Sequence, residues 1–144
     1  MKEFFLIMPE VVLALTLAFV VIGEITYTGE KVRLVPATAL LGLAGAFVQV
    51  LISYQYESSQ AFSGALSIDS FSLFFKLLFI GLSLLSILTV LQTKEISAPR
   101  RSEYCALVVA SALAMCLVAS ATDLVIGFLS LLFLNVVSYF LAAY

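Results

Sequence analysis

Histidine and tryptophan are absent from the 144 residues, only two cysteines occur, and charged side chains make up just 11% of the chain. These absences remove most catalytic and metal chemistry before any motif is sought. Cys105 and Cys116 share one apolar run. If that run is helical they stand about 16 Å apart along its axis, beyond disulfide reach, so they read as buried packing residues. The seven basic residues are scattered and form no basic stripe, which argues against a nucleic-acid partner. Nothing matches a phosphate loop, a dinucleotide fingerprint, a nucleophile elbow or a cysteine cluster. No redox or catalytic centre, no metal and no cofactor is therefore expected in this chain.

What is abundant is apolar surface. The chain is 63% hydrophobic with a mean hydropathy of +1.18, whereas a typical soluble domain is about half apolar and about a quarter charged. A globule of this size cannot hide so much apolar surface from water, so the fitting solvent is lipid. Runs of about 20 apolar residues span a hydrocarbon core of about 30 Å. They occur at 4–25, 34–54, 68–91, 104–121 and 124–143. Barrel strands are a poor alternative, because Leu77-Leu78-Phe79-Ile80 is apolar on both faces. The expected architecture is an all-α integral membrane domain of about five transmembrane helices over residues 1–144. The short Thr122-Asp123 link makes the last two helices a tight antiparallel pair. The first run reads as a span rather than a signal peptide, since it is long, Pro9-Glu10 interrupts its start, and no small-x-small cleavage pattern lies near Gly23-Glu24. Pro9 suits the first turn of a helix, where a missing N–H costs little.

Orientation follows from the basic residues beside the spans. Lys31 and Arg33 lie between the first and second runs, and Lys94, Arg100 and Arg101 between the third and fourth. The opposite loops carry Glu57, Asp69 and Asp123 and no base, and only Lys2 disagrees. The N-terminus is thus expected outside and Tyr144 at the cytoplasmic face. The absence of a recognisable targeting segment favours the bacterial cytoplasmic (inner) membrane, with the mitochondrial inner membrane as the alternative.

A charge at mid-span costs about 2.5–3.5 kcal/mol on insertion scales and needs a partner, an aqueous path or a route to the interface. Lys76 falls roughly two turns into the third helix, and both snorkelling and functional burial are open to it. Glu10 and Glu24, near opposite ends of the first helix, are expected to be solvated at the interfaces. Glu103, just before the fourth helix, would complement that helix's dipole. On the fifth helix Leu132, Asn135 and Tyr139 share one face at i, i+3 and i+7, with Ser138 one residue aside. A lipid-facing Asn135 would be unsatisfied, so its amide should bond a neighbouring helix, the favoured reading, or a water wire. Small residues at Thr38, Gly42 and Ala46, and at Ala106, Ala110 and Ala114, repeat every fourth position and permit close helix approach.

Several strings taken in order resemble one family. They are Met8-Pro9-Glu10-Val11-Val12-Leu13, the run Ile68-Asp69-Ser70-Phe71-Ser72-Leu73-Phe74-Phe75-Lys76, Glu103-Tyr104, and Ala119-Ser120-Ala121-Thr122-Asp123-Leu124 followed by Ser138-Tyr139-Phe140-Leu141-Ala142-Ala143. Their order and spacing over essentially the whole chain are similar to the N-terminal third of subunit N of NADH:quinone oxidoreductase (respiratory complex I), the homologue of mitochondrial subunit 2. The resemblance implies an antiporter-like helical subunit of the membrane arm, coupling quinone reduction to proton translocation without a redox centre of its own. NADH and quinone would be used by the parent complex. The implied partners are the other membrane-arm subunits, the remainder of the antiporter-like subunit and the lipid bilayer. An outward N-terminus in that fold agrees with the orientation read from basic residues.

Two departures from the family stand out. Members usually carry a glutamate nine residues after the position of Asp123 and seven before that of Tyr139, where this chain has Leu132. A leucine neither exchanges a proton nor pairs with a lysine, and the continuation is altered to Asn135-Val136-Val137-Ser138. The usual charge pair is broken on this side. Members also continue through many more helices, so the chain is expected to be a fragment, one piece of a split subunit or a truncated protein. The resulting expectation is a structural part of the membrane arm that also contributes to the proton path, with Lys76, Asp123, Asn135 and Tyr139 as candidates. The alternatives are a related subunit of a cation/proton antiporter or membrane-bound hydrogenase complex, or a small standalone membrane scaffold or assembly protein.

Overall fold

The computed structural model describes residues 4, 7–26, 34–55, 59–61, 63, 64, 66–93 and 96–144. Lys2, Lys31, Arg33, Glu57 and Lys94, on which the charge reading of orientation leans, lie outside the described residues. Five helices are long and apolar enough to cross a membrane: α1 (Met8–Thr26), α2 (Leu34–Ser53), α3 (Ser70–Gln92), α4 (Ala98–Ser120) and α5 (Leu124–Ala143). Between α2 and α3 a short antiparallel hairpin, β1 (Ser59–Ala61) and β2 (Leu66–Ile68), pairs Ser59 with Ile68 and Ala61 with Leu66. Its turn uses left-handed backbone at Ser63 (φ 55°) and Gly64 (φ 89°), the second of which costs glycine nothing.

The helices α1 to α4 form a ring in which each packs on its sequence neighbours and α4 closes back onto α1. Helix α4 also reaches α2 across the ring, and α5 packs chiefly on α4 from outside. The reason lies in the composition of α4. Ala106, Ala110, Ala112 and Ala114, with Cys105, Cys116 and Val109, are buried on several sides. Such small side chains let neighbouring backbones approach, which matters in lipid because packing rather than water exclusion holds helices together. A similar closeness joins α1 to α2, where a Cβ on Gly42 would collide with the side chain of Thr16. Hydroxyls inside the spans satisfy themselves on the preceding turn, as Ser83 Oγ donates to Phe79 O at 2.8 Å and Thr89 Oγ1 to Leu85 O at 2.9 Å. The outer faces stay apolar, with Phe19, Leu41, Phe74, Leu85 and Phe128 all more than half exposed.

Helix α1 starts at Met8 rather than 4, several ends move by one residue, and the starts of α3 and α4 differ for identifiable reasons. Helix α3 starts at Ser70 rather than 68 because Asp69 is an N-cap: Ser72 N donates to Asp69 Oδ1 at 3.0 Å, and Asp69 N donates to Ser72 Oγ at 3.2 Å. That reciprocal pair satisfies two otherwise orphaned donors and leaves Ile68 to the hairpin. Helix α4 starts at Ala98, six residues before Tyr104, because Pro99 sits in the first turn, where its ring and missing N–H are tolerated. The expected dipole role of Glu103 therefore fails. It is the sixth residue of α4, beyond the turn in which the dipole acts, and Arg100 and Arg101 occupy that turn instead. Arg101 is used locally: its guanidinium donates to Thr93 O at 2.7 Å and Ile96 O at 3.3 Å, tying the end of α3 to the start of α4.

Candidate functional site

Helices α1 and α3 run in the same direction and α4 runs against them, so the start of α1, the start of α3 and the end of α4 meet at one end of the bundle. Glu10 is the third residue of α1 and Lys76 the seventh of α3. With a rise of about 1.5 Å per residue, the two α-carbons differ in depth by only about 6 Å. Helical side chains lean toward the N-terminus, so the long stem of Lys76 carries its ammonium back toward Glu10. The two form the one ion pair among the described residues, between Lys76 Nζ and Glu10 Oε1.

The pair is sealed. The Lys76 side chain is 1% exposed and that of Glu10 7%. Ser120, the last residue of α4 and itself buried, has its Oγ 3.1 Å from Cys116 O and 3.4 Å from Glu10 Oε1, so its single hydroxyl proton is shared between the two acceptors. Glu10 Oε2 is buried and has no hydrogen-bond partner among the described residues. The hairpin closes this end: Leu66 bridges to Ala121, Thr122 Oγ1 donates to Gly64 O, and Leu66 and Ile68 are buried beneath.

Snorkelling and burial were both open to Lys76, and the structure takes burial. The expected interfacial solvation of Glu10 is overturned. Lys76 supplies a counter-charge at matching depth, and with Glu10 only 6% exposed the carboxylate is paired rather than hydrated. Glu24, in the last turn of α1, is partly exposed. Glu10 is thus a residue that sequence reasoning missed as part of a site. The signal was present, since odd-numbered spans run parallel and an acid and a base near the starts of two of them must lie at one end.

The other candidates are placed elsewhere. Asp123 is exposed and N-caps α5, accepting from Val125 N at 3.0 Å. Leu132, Asn135 and Tyr139 are exposed on α5, Tyr139 by 76%, so the structure does not bring them together with Lys76. Ser138, also exposed, donates to Leu134 O at 2.8 Å. Among the described residues no group of three or more His, Cys, Asp or Glu side chains is placed to hold a metal ion. Cys105 and Cys116 are free and buried.

No protein-family model matches the chain. Individual relatives do. It is 32% identical to NADH-quinone oxidoreductase subunit N 2 of Chloroherpeton thalassium over 139 residues, covering 94% of this chain and 27% of the relative. It is 38% identical to NADH-quinone oxidoreductase subunit N of an Anaeromyxobacter species over 115 residues, 79% of this chain and 22% of the relative. NAD(P)H-quinone oxidoreductase subunit 2 of a Synechococcus species is 30% identical over 138 residues, 96% of this chain and 26% of that protein. The chain spans about a quarter of the length of these relatives. This multi-pass helical chain is similar, almost from end to end, to about a quarter of NADH-quinone oxidoreductase subunit N (subunit 2) proteins.

Proposed function

We propose that the chain is an N-terminal, membrane-arm portion of a proton-translocating NADH:quinone oxidoreductase, set in the bacterial cytoplasmic membrane with its N-terminus outside. The observation that carries this reading is the match over 94% of the chain to a subunit N relative. NADH and quinone are handled elsewhere in the parent complex, and this part contributes scaffold and outer-side polar groups. Its partners are the remaining helices of the antiporter-like subunit and the neighbouring membrane-arm subunits. Helix α5 is the face that receives them. Only Ser130 and Val137 of its residues are buried, and Asn135 presents an amide at mid-span that hydrocarbon cannot satisfy. A polar group on an incoming helix would complete it, with Tyr139 and Asp123 on the same helix available to a proton path. Leu132 keeps the family's usual carboxylate out of that path, which leaves Lys76 as the buried cation among the described residues.

Native electrophoresis of gently solubilised source membranes, with peptide mass spectrometry of each band holding this chain, tests the assignment. Co-migration with NADH dehydrogenase subunits is expected. A small band free of redox partners would overturn it in favour of a standalone scaffold. In the assembled complex, Lys76→Met is expected to lower the ratio of protons moved to electrons transferred, and an unchanged ratio removes Lys76 from the path.

A further inference from the structure

The buried end of the bundle holds a group with spare capacity, namely the second oxygen of Glu10. Its first oxygen takes the ammonium of Lys76 and the hydroxyl of Ser120, while Oε2 has no partner among the described residues although Glu10 is only 6% exposed. A carboxylate bound for packing alone would be expected to have both oxygens satisfied, because each unpaired buried acceptor is costly. The site is also connected to one face. It lies at the very ends of α1 and α4, at the end of the bundle where a hairpin of three-residue strands is held to Ala121 and Thr122, just after α4, through Leu66 and Gly64. Burial within a membrane span, an opposite charge at contact and an acceptor oxygen without a partner among the described residues are the attributes of a group that exchanges protons rather than one that only holds helices.

We propose that Glu10, Lys76 and Ser120 form a proton-exchange site in which Glu10 Oε2 is the atom that takes up and releases the proton. Loading forms an O–H bond at Oε2 with a proton given up by a water molecule on the hairpin side, leaving hydroxide to that aqueous phase. Release breaks the same O–H bond and returns the proton to water. The pair goes from no net charge to one positive charge on loading, so the site loads when negative charge approaches or positive charge withdraws, and empties in the reverse case. Ser120 and Lys76 are positioning residues that hold Oε1 and leave Oε2 open. Among the described residues the ionisable groups around Glu10 are few. Helix α3 brings Lys76, α4 brings the thiol of Cys116 one turn before Ser120, and α2 carries no ionisable side chain at all. Asp69 and Asp123, at the starts of α3 and α5, are exposed.

This deepens the reading of Lys76 given above, yet it concerns a property of the chain itself and is tested without the complex. The full chain, labelled with ¹³C at glutamate carboxyl carbons and held in lipid nanodiscs, is titrated with pH while its infrared carboxyl region is recorded in H₂O and D₂O. A deuterium-sensitive protonated-carboxyl band that appears on acidification, and is lost in Glu10→Gln, is expected. Lys76→Met should move the pH at which it appears by at least one unit, about tenfold in proton affinity, and Ser120→Ala, which keeps the ion pair and the fold, should shift the frequency of the band. The proposal is overturned if Glu10→Gln removes no titrating band, or if neither Lys76→Met nor Ser120→Ala changes it. Failure of the complex assignment would show instead as the absence of redox partners on native gels, with the band intact.

Discussion

Removing Lys76 alone should damage the protein more than removing Lys76 and the charge of Glu10 together. Both side chains are almost wholly buried, so Lys76→Met leaves a carboxylate in a low-dielectric site with only the Ser120 hydroxyl on it. Breaking a buried pair in this way costs about 3–5 kcal/mol, and Glu10→Gln, which strands the ammonium, should cost about as much. The double variant Glu10→Gln with Lys76→Met strands no charge and keeps nearly the same volume. Its loss should be under about 3 kcal/mol, which places the coupling between the two positions at about 3 kcal/mol or more. Against a total stability of about 5–15 kcal/mol, such single losses are plainly measurable. Reversible unfolding in bicelles, followed by helicity for the wild type, both single variants and the double, supplies the four numbers. Additive losses of under about 1 kcal/mol each would refute the reasoning, because they would mean that water already reaches the pair, as it does at an exposed ion pair.

The closeness of α1 and α2 predicts a sharp contrast between two glycines of α2. A methyl on Gly42 would collide with the β-branched side chain of Thr16, whereas one on Gly45 meets nothing within 4 Å. Gly42→Ala should lower stability in the same bicelle assay by about 1–3 kcal/mol, while Gly45→Ala should be neutral or raise it by up to about 1 kcal/mol through helix propensity; equal effects would disprove the close contact. At the start of α3, Asp69→Ala removes the cap on Ser72 N and should cost about 0.5–2 kcal/mol. Amide hydrogen exchange at Ser72 should accelerate while that in the middle of α3 does not, and unchanged exchange at Ser72 would show that the cap is not holding the helix end.

The sequence by itself determined the lipid solvent, the number of spans and their helical form, because these depend on local quantities: the length of each apolar run, its hydropathy and the absence of alternation. The small residues Ala106, Ala110 and Ala114 likewise announced a closely packed helix, since only their size matters for backbone approach. The shifted starts of α3 and α4 were also locally encoded, in the Asp69–Ser72 capping box and in Pro99, but hydropathy weighs a polar cap and a polar loop alike. What only the tertiary structure decided was the partner of each polar group. Glu10 looked interfacial because depth along its own helix was all that could be read, and Lys76 was undecided for the same reason. Their meeting required α1 and α3 to lie at matching height and α4 to bring Ser120 to the same end. The candidates on α5 show the converse. Asn135 and Tyr139 do share a face as their spacing required, yet packing on α4 turns that face outward, away from Lys76. Periodicity fixes which residues of one helix point together, but the energy of a buried charge is set by contacts between helices, and those exist only once the bundle is assembled.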